Sequence, residues 1–156
     1  MPQPESTVQA NRQENALLIS PDEKDHEILK ALFKQNSWTL HRADSVKSAS
    51  ALLNEIPASV VITERDLPVG NWKRVLRVIR RLPKAPLLIV ISRLADNCLW
   101  AEALNLGAYD VLAKPLDQTE TLRVLTSAWI HHKHASKIGS AHPKQENGLS
   151  ASPGQM

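Results

Sequence analysis

Apolar residues in this chain fall into short, dense runs separated by amphipathic stretches, and the two patterns alternate five times. Ala16-Leu17-Leu18-Ile19 is the first run, too short for a helix and bounded by polar residues, as a buried strand would be. Ser20-Pro21-Asp22-Glu23 reads as a helix start, with Ser20 as N-cap, Pro21 in the first helical position and Glu23 closing a capping box. Ile28, Leu29, Leu32 and Phe33 then recur at helical spacing. Trp38 to Arg42 alternates as a half-exposed strand. Asp44 or Ser45 can cap a second helix carrying Val46, Ala49, Leu52 and Leu53, which Pro57 ends. Val60-Val61-Ile62-Thr63 is a β-branched run and a third strand. A loop over 64–71, with Pro68 and Gly70, leads into a helix from Trp72 to Leu82, and Pro83 and Pro86 bracket its exit. Leu87 to Ile91 is a fourth strand, and Ala95 to Leu106 a fourth helix with Gly107 at its C-cap. Val111-Leu112-Ala113 is the fifth strand, and Asp117 opens a last helix to about His132.

Strands apolar on both faces, alternating with helices, predict a parallel sheet covered on both sides. Right-handed crossovers then give a single α/β three-layer sandwich. The 156 residues divide into a flexible polar lead (1–15), one domain (16–132) and a disordered tail (133–156) rich in Ser, Gly, Pro, Lys and His. A hydrophobic fraction of 42% fills one core, and with only 4% aromatic residues that core must be mostly Leu, Ile, Val and Ala. Cys98 is the one cysteine, which excludes an intrachain disulfide and any CxxC motif. No apolar run reaches the roughly 18–20 residues of a membrane span. The first fifteen residues carry no signal-peptide pattern, so a cytoplasmic location is expected. The net charge of +3 is too mild to imply a polyanionic partner by itself.

The most telling stretch is Gly107-Ala-Tyr-Asp-Val-Leu-Ala-Lys-Pro-Leu-Asp117. Glu64-Arg65-Asp66-Leu67-Pro68 precedes it, and Ser92 stands fifteen residues before Gly107. Taken jointly, the spacing resembles the receiver domain of response regulators over roughly residues 15–132. The resemblance implies a flavodoxin-like (βα)5 sandwich with strand order 2-1-3-4-5 and a place in two-component signal transduction, or phosphorelay. In that family an acidic pair follows strand one and an aspartate that accepts a phosphoryl group ends strand three. A Ser or Thr follows strand four, a lysine follows strand five, and a switch aromatic lies three residues before the lysine.

Several of those positions depart from the pattern here. The phosphoacceptor position is Glu64, and the acidic pair is replaced by Ser20 and Pro21. Asp22 comes next, but as a first-turn helix residue it is expected to point elsewhere. Transfer to a carboxylate needs Mg²⁺ to offset charge, and Mg²⁺ needs near-octahedral oxygen ligands. No cofactor is therefore expected, and Mg²⁺ binding should be weak or lost. Glu64 reaches about 1.5 Å further than aspartate would, one C–C bond. Either Lys114, ahead of Pro115, and Ser92 then meet a permanent anion and a standing Glu64–Lys114 ion pair imitates the activated state, or Glu64 turns to solvent and Lys114 pairs loosely. Asp66 reads as a solvated loop carboxylate. The switch position holds Val111, which cannot swing as an aromatic ring does, and Tyr109 falls in the preceding turn.

Three surfaces remain. Lys73, Arg74, Arg77, Arg80, Arg81 and Lys84 line the third helix with no acidic residue between Asp66 and Asp96. They form a solvated basic stripe, or a surface for nucleic acid or an acidic partner. Trp100 and Trp129 fall on the fourth and fifth helices, where receivers dock or dimerise, and are either part of the core edge or docking residues, tryptophan being enriched in binding hot spots. His131, His132, His134 and His142 cluster where the tail begins, with no specific metal site expected. Neither a nucleophile–base pair nor a Gly-rich phosphate loop is present, so the chain is not expected to be an enzyme. The reading is an atypical, stand-alone receiver acting by protein docking, independent of phosphorylation. Its expected partner is a protein, either a sensor histidine kinase or an output protein, and a homodimer would use the same face. The alternative is a basic adaptor binding nucleic acid or an acidic surface through its third helix.

Overall fold

The computed structural model of the chain describes residues 14–141. Five strands, β1 (Asn15–Ile19), β2 (Thr39–Ala43), β3 (Val60–Glu64), β4 (Leu87–Ser92) and β5 (Asp110–Ala113), alternate with five helices. The helices are α1 (Glu23–Gln35), α2 (Val46–Leu53), α3 (Trp72–Ile79), α4 (Asn97–Leu106) and α5 (Gln118–Ala141). The strands form one parallel sheet in the order β2-β1-β3-β4-β5.

The two-residue period of a strand divides the core into two layers. Leu17, Ile19, Val61, Leu88, Val90 and Val111 face α2, α3 and α4. Leu18, Val60, Ile62, Ile89, Ile91 and Leu112 face α1 and α5. The apolar runs are continuous because both faces of the sheet are covered. Register sets the functional edge. Ile19 lies opposite Thr63, Glu64 opposite Ile91, and Ser92 opposite Ala113. Ser20, Glu64, Ser92 and Lys114 therefore leave the sheet together at its carboxyl edge.

Local chemistry moves several boundaries from those the sequence predicts. Asn15, expected in the lead, belongs to β1, because the Ser59 N–H donates to its carbonyl and it pairs with Thr39. The N-cap of α1 is Asp22, with extended φ −83° and ψ 116°, and its carboxylate accepts from the Lys24 N–H. Ser20 is buried and is not the N-cap, because its hydroxyl is engaged with Asp25 and the Asp22 N–H. α3 stops at Ile79, ahead of Pro83. α5 continues past His132 to Ala141, as no glycine or proline interrupts it before Gly139. The lead before residue 14 and the tail after 141 lie outside the described residues.

Gly107 closes α4 with φ +115°, the left-handed conformation that glycine adopts without penalty. The Arg80 guanidinium donates to the Leu106 carbonyl and lies where a Gly107 methyl would go. Gly107→Ala should cost about 1 kcal/mol or more, read as a lower urea midpoint. Adding Arg80→Ala should relieve the steric part and leave the backbone part.

Candidate functional site

The site is a cluster of charges around Lys114, just past the end of β5. The Lys114 side chain is 5% exposed. Its ammonium donates to Glu64 Oε1 at 2.6 Å, to Asp25 Oδ2 at 2.9 Å and to Asp22 Oδ2 at 3.4 Å. A lysine ammonium has three N–H donors, so each meets one carboxylate. The Ser20 hydroxyl donates to the same Asp25 oxygen at 2.8 Å, and its oxygen accepts from the Asp22 N–H. At the mouth of the cluster, an Arg93 guanidinium nitrogen lies 3.6 Å from Asp22 Oδ2. The Lys114–Pro115 peptide bond is cis.

Each member is placed by its own element. Glu64 is the last residue of β3, on one side of the β1/β3 switch point where the strand order reverses and open α/β sheets carry their crevice. Asp25 lies on the buried stripe of α1 with Leu29, Leu32 and Phe33. Asp22 is drawn in by its role as N-cap. Titration behaviour follows from the charge count of three carboxylates to one ammonium. Burial pushes the Lys114 ammonium down, but hydrogen bonds to Glu64 and Asp25 outweigh it, and its pKa stands above the ordinary lysine value. Burial pushes Glu64 above the usual carboxylate range, with the Asp25 charge adding to it and Lys114 working against it. The Lys24 N–H holds Asp22 below that range, helped by Lys114 and Arg93 against the pull of burial.

Several expectations need correction. Asp22 does not point away from the site, because an N-cap carboxylate has two oxygens and the second reaches Lys114. The charge of the missing acidic pair is therefore not lost but supplied from α1. Asp25 was absent from the predicted site, although an acid on the apolar stripe of α1 was the available signal. Ser92 is buried, but its hydroxyl accepts from the Leu94 N–H, and no bond to Glu64 accompanies it. Asp66 is a solvated loop residue, as expected, near the Arg65 guanidinium. Val111 is packed in the core on the α4 side.

A receiver fold implies Mg²⁺, and the residues present do not fit it. The carboxylates that would ligate the ion all face Lys114 instead. Among the described residues, no three His, Cys, Asp or Glu side chains are grouped to hold a metal.

Outside the cluster, Trp100 is 50% exposed and has Leu94 and Leu106 as exposed apolar neighbours along the chain. Trp129 is 3% exposed, which removes it from any docking face. It packs on Trp38 and Phe33, because its position on α5 follows Leu125 by one turn and so points to the sheet. The basic residues of the third-helix stripe are all exposed. Two are engaged within the chain, Lys73 with Glu102 at 2.6 Å and Arg80 with the Leu106 carbonyl. The tail histidines diverge. His131 meets the Tyr109 hydroxyl, which also bonds Ser127. Burial lowers the His132 pKa, against a hydrogen bond to the Ala85 backbone. His134 is exposed, and His142 lies outside the described residues. No helix among the described residues is long and apolar enough to cross a membrane.

A doubly wound five-stranded sheet thus carries an acid–lysine cluster at its carboxyl edge. The model of the response regulator receiver domain matches residues 17–126, and the chain belongs to that family of two-component signalling domains. It is 30% identical over 115 residues to the two-component response regulator-like protein APRR1 of Arabidopsis thaliana, covering 69% of this chain and 18% of that protein. It is 26% identical over 135 residues to the photosynthetic apparatus regulatory protein RegA of Cereibacter sphaeroides, covering 86% of this chain and 68% of that one. The signal receiver domain of an HD domain-containing protein from Pseudomonas fluorescens superposes with a TM-score of 0.71 at 29% identity, over 78% of this chain and 98% of that domain.

Proposed function

We propose that this receiver signals without accepting a phosphoryl group and acts by docking on a protein partner. One observation carries the reading: all three N–H donors of Lys114 are already committed to carboxylates. In the family resemblance, this lysine stands beside the phosphoryl-accepting residue. Here Glu64 supplies a carboxylate one methylene longer than aspartate, 2.6 Å from the ammonium. A permanent anion thus takes the place of a transient one, and the module holds a single state. The exposed Trp100 marks the face through which a partner would bind.

The test is intact-mass spectrometry after incubation with Mg²⁺ and acetyl phosphate, with an ordinary receiver as positive control. No phosphoryl adduct should form here while the control is modified. Glu64→Asp should also remain unmodified, because Asp25 and Asp22 still hold the ammonium and Pro21 still offers no ligand. A stoichiometric, Mg²⁺-dependent adduct on the natural chain would sink the reading.

A further inference from the structure

We propose that the Lys114 ammonium is the resident cation of this site, permanently filling the role that a divalent metal has in a receiver fold, so that the protein is indifferent to Mg²⁺. The cluster is arranged around a single cation, without the spacing of a ready-made metal site. Three carboxylates from two elements, Asp22 and Asp25 from the start of α1 and Glu64 from the end of β3, converge on one centre of positive charge. That centre is a side chain tethered to β5.

Three physical terms favour the ammonium over a metal. The first is charge. Asp22, Asp25 and Glu64 bring three negative charges, and Lys114 with Arg93 brings two positive ones, leaving one negative charge. Adding Mg²⁺ without expelling Lys114 would bring four positive charges against three. The second is the fate of the lysine. At 5% exposure, a displaced ammonium would either stay buried beside a dication or drag its stem out of a packed pocket. The third is geometry. Mg²⁺ requires octahedral oxygens at about 2.0–2.1 Å and sheds water reluctantly. An ammonium accepts the looser 2.6–3.4 Å spread seen here. The lysine also pays no association entropy, being covalently in place.

Removing the ammonium should convert the cluster into a cation site. Lys114→Ala raises the local charge from one negative to two, with Arg93 retained, and leaves a space that a hydrated ion can enter. The experiment is titration of Mg²⁺, and of Mn²⁺ as a paramagnetic probe, into the natural chain and into Lys114→Ala. Amide NMR and calorimetry provide the readouts. In the natural chain, millimolar Mg²⁺ should leave the calorimetric trace flat, and Mn²⁺ should not selectively broaden the amides of residues 20, 22–25 and 64–66. Lys114→Ala should bind Mg²⁺ about tenfold or more tightly than the natural chain, with that broadening appearing at those residues. Should the variant fail to fold alone, recovery of its circular dichroism by Mg²⁺, and not by NaCl of equal ionic strength, carries the same conclusion. Selective broadening in the natural chain overturns the proposal, as does a variant that neither binds Mg²⁺ nor is recovered by it. The ammonium tripod also underlies the phosphorylation-independent reading, but the two fail separately. A natural chain that binds Mg²⁺ yet takes no phosphoryl group loses only the resident cation. A phosphoryl adduct that forms equally without Mg²⁺, on a chain that ignores the ion, loses only the phosphorylation-independent reading.

Discussion

Lys114→Met should lower the unfolding free energy by about 3–5 kcal/mol at neutral pH, the range for breaking a buried ion pair from one side. Methionine fills much the same volume, so the loss is electrostatic and not a cavity. Asp25 and Glu64 would be left as like charges with side chains only 5% and 17% exposed. The Ser20 hydroxyl still serves Asp25, but a neutral donor does not offset a charge. Acidification separates this cause from a packing defect. In the variant Glu64, whose pKa burial already raises, loses the ammonium that works against that rise. The folded state then holds protons that the unfolded state releases, and stability returns as pH falls towards the ordinary carboxylate range. In the natural chain the ammonium holds part of that rise at Glu64 back, and two further groups set the remaining pH dependence. The contribution of Asp22, whose pKa is held low, is present above the unfolded value and is lost as pH falls through the folded one. The contribution of Lys114, whose pKa is raised, is present below the unfolded value and is lost only as pH rises through the folded one. Urea unfolding at neutral and mildly acidic pH should show the gap between the two proteins narrowing on acidification. A gap independent of pH would mean that packing, not charge, is what the lysine supplies.

Trp129→Ala should cost about 3–5 kcal/mol, while Trp100→Ala should stay within about 0.5 kcal/mol. Trp129 is enclosed with Trp38 at 4.6 Å and Phe33 at 5.8 Å between ring centroids, so its removal leaves a large void. Trp100 is half exposed and its loss opens none. A second substitution sharpens the contrast. The Trp129 indole N–H is buried without a hydrogen-bond partner, a group worth about 1–3 kcal/mol against the fold. Trp129→Phe removes that penalty together with part of the buried area, so the two terms oppose each other. Its net effect should lie within about 1 kcal/mol. If Trp129→Phe proves as damaging as Trp129→Ala, the indole N–H is satisfied in solution. Chemical denaturation of the three variants is sufficient.

The sheet was legible because strands such as Leu17-Leu18-Ile19 and Val60-Val61-Ile62 are buried on both faces, and burial on both faces leaves nothing to alternation. The positions of Glu64 and Lys114 were legible through the receiver resemblance, which places an acceptor at the end of strand three and a lysine after strand five. Asp22 and Asp25 were not, because both looked like ordinary first-turn acids favoured by the helix dipole. What distinguishes Asp25 is its phase: it sits four residues before Leu29 and seven before Leu32, on the apolar stripe. Trp100 and Trp129 looked equivalent for the complementary reason. α4 shows the sheet Leu99 and Ala103 and leaves Trp100 outside, whereas α5 shows it Leu125, Ala128 and Trp129. Ser20 was misread because Pro21 is acceptable both inside a first turn and just before a cap.

The four tryptophans divide into Trp72 and Trp129 in the core, Trp38 at its edge and Trp100 in water. The protein therefore carries its own optical reporter. The red-edge emission, and the fraction that iodide can quench, belong to Trp100, while the bluer emission belongs to the interior. A partner covering α4 would shield one fluorophore from iodide and leave the others unchanged. Loosening of the core would do the opposite, so docking and unfolding can be told apart in a single cuvette without any label.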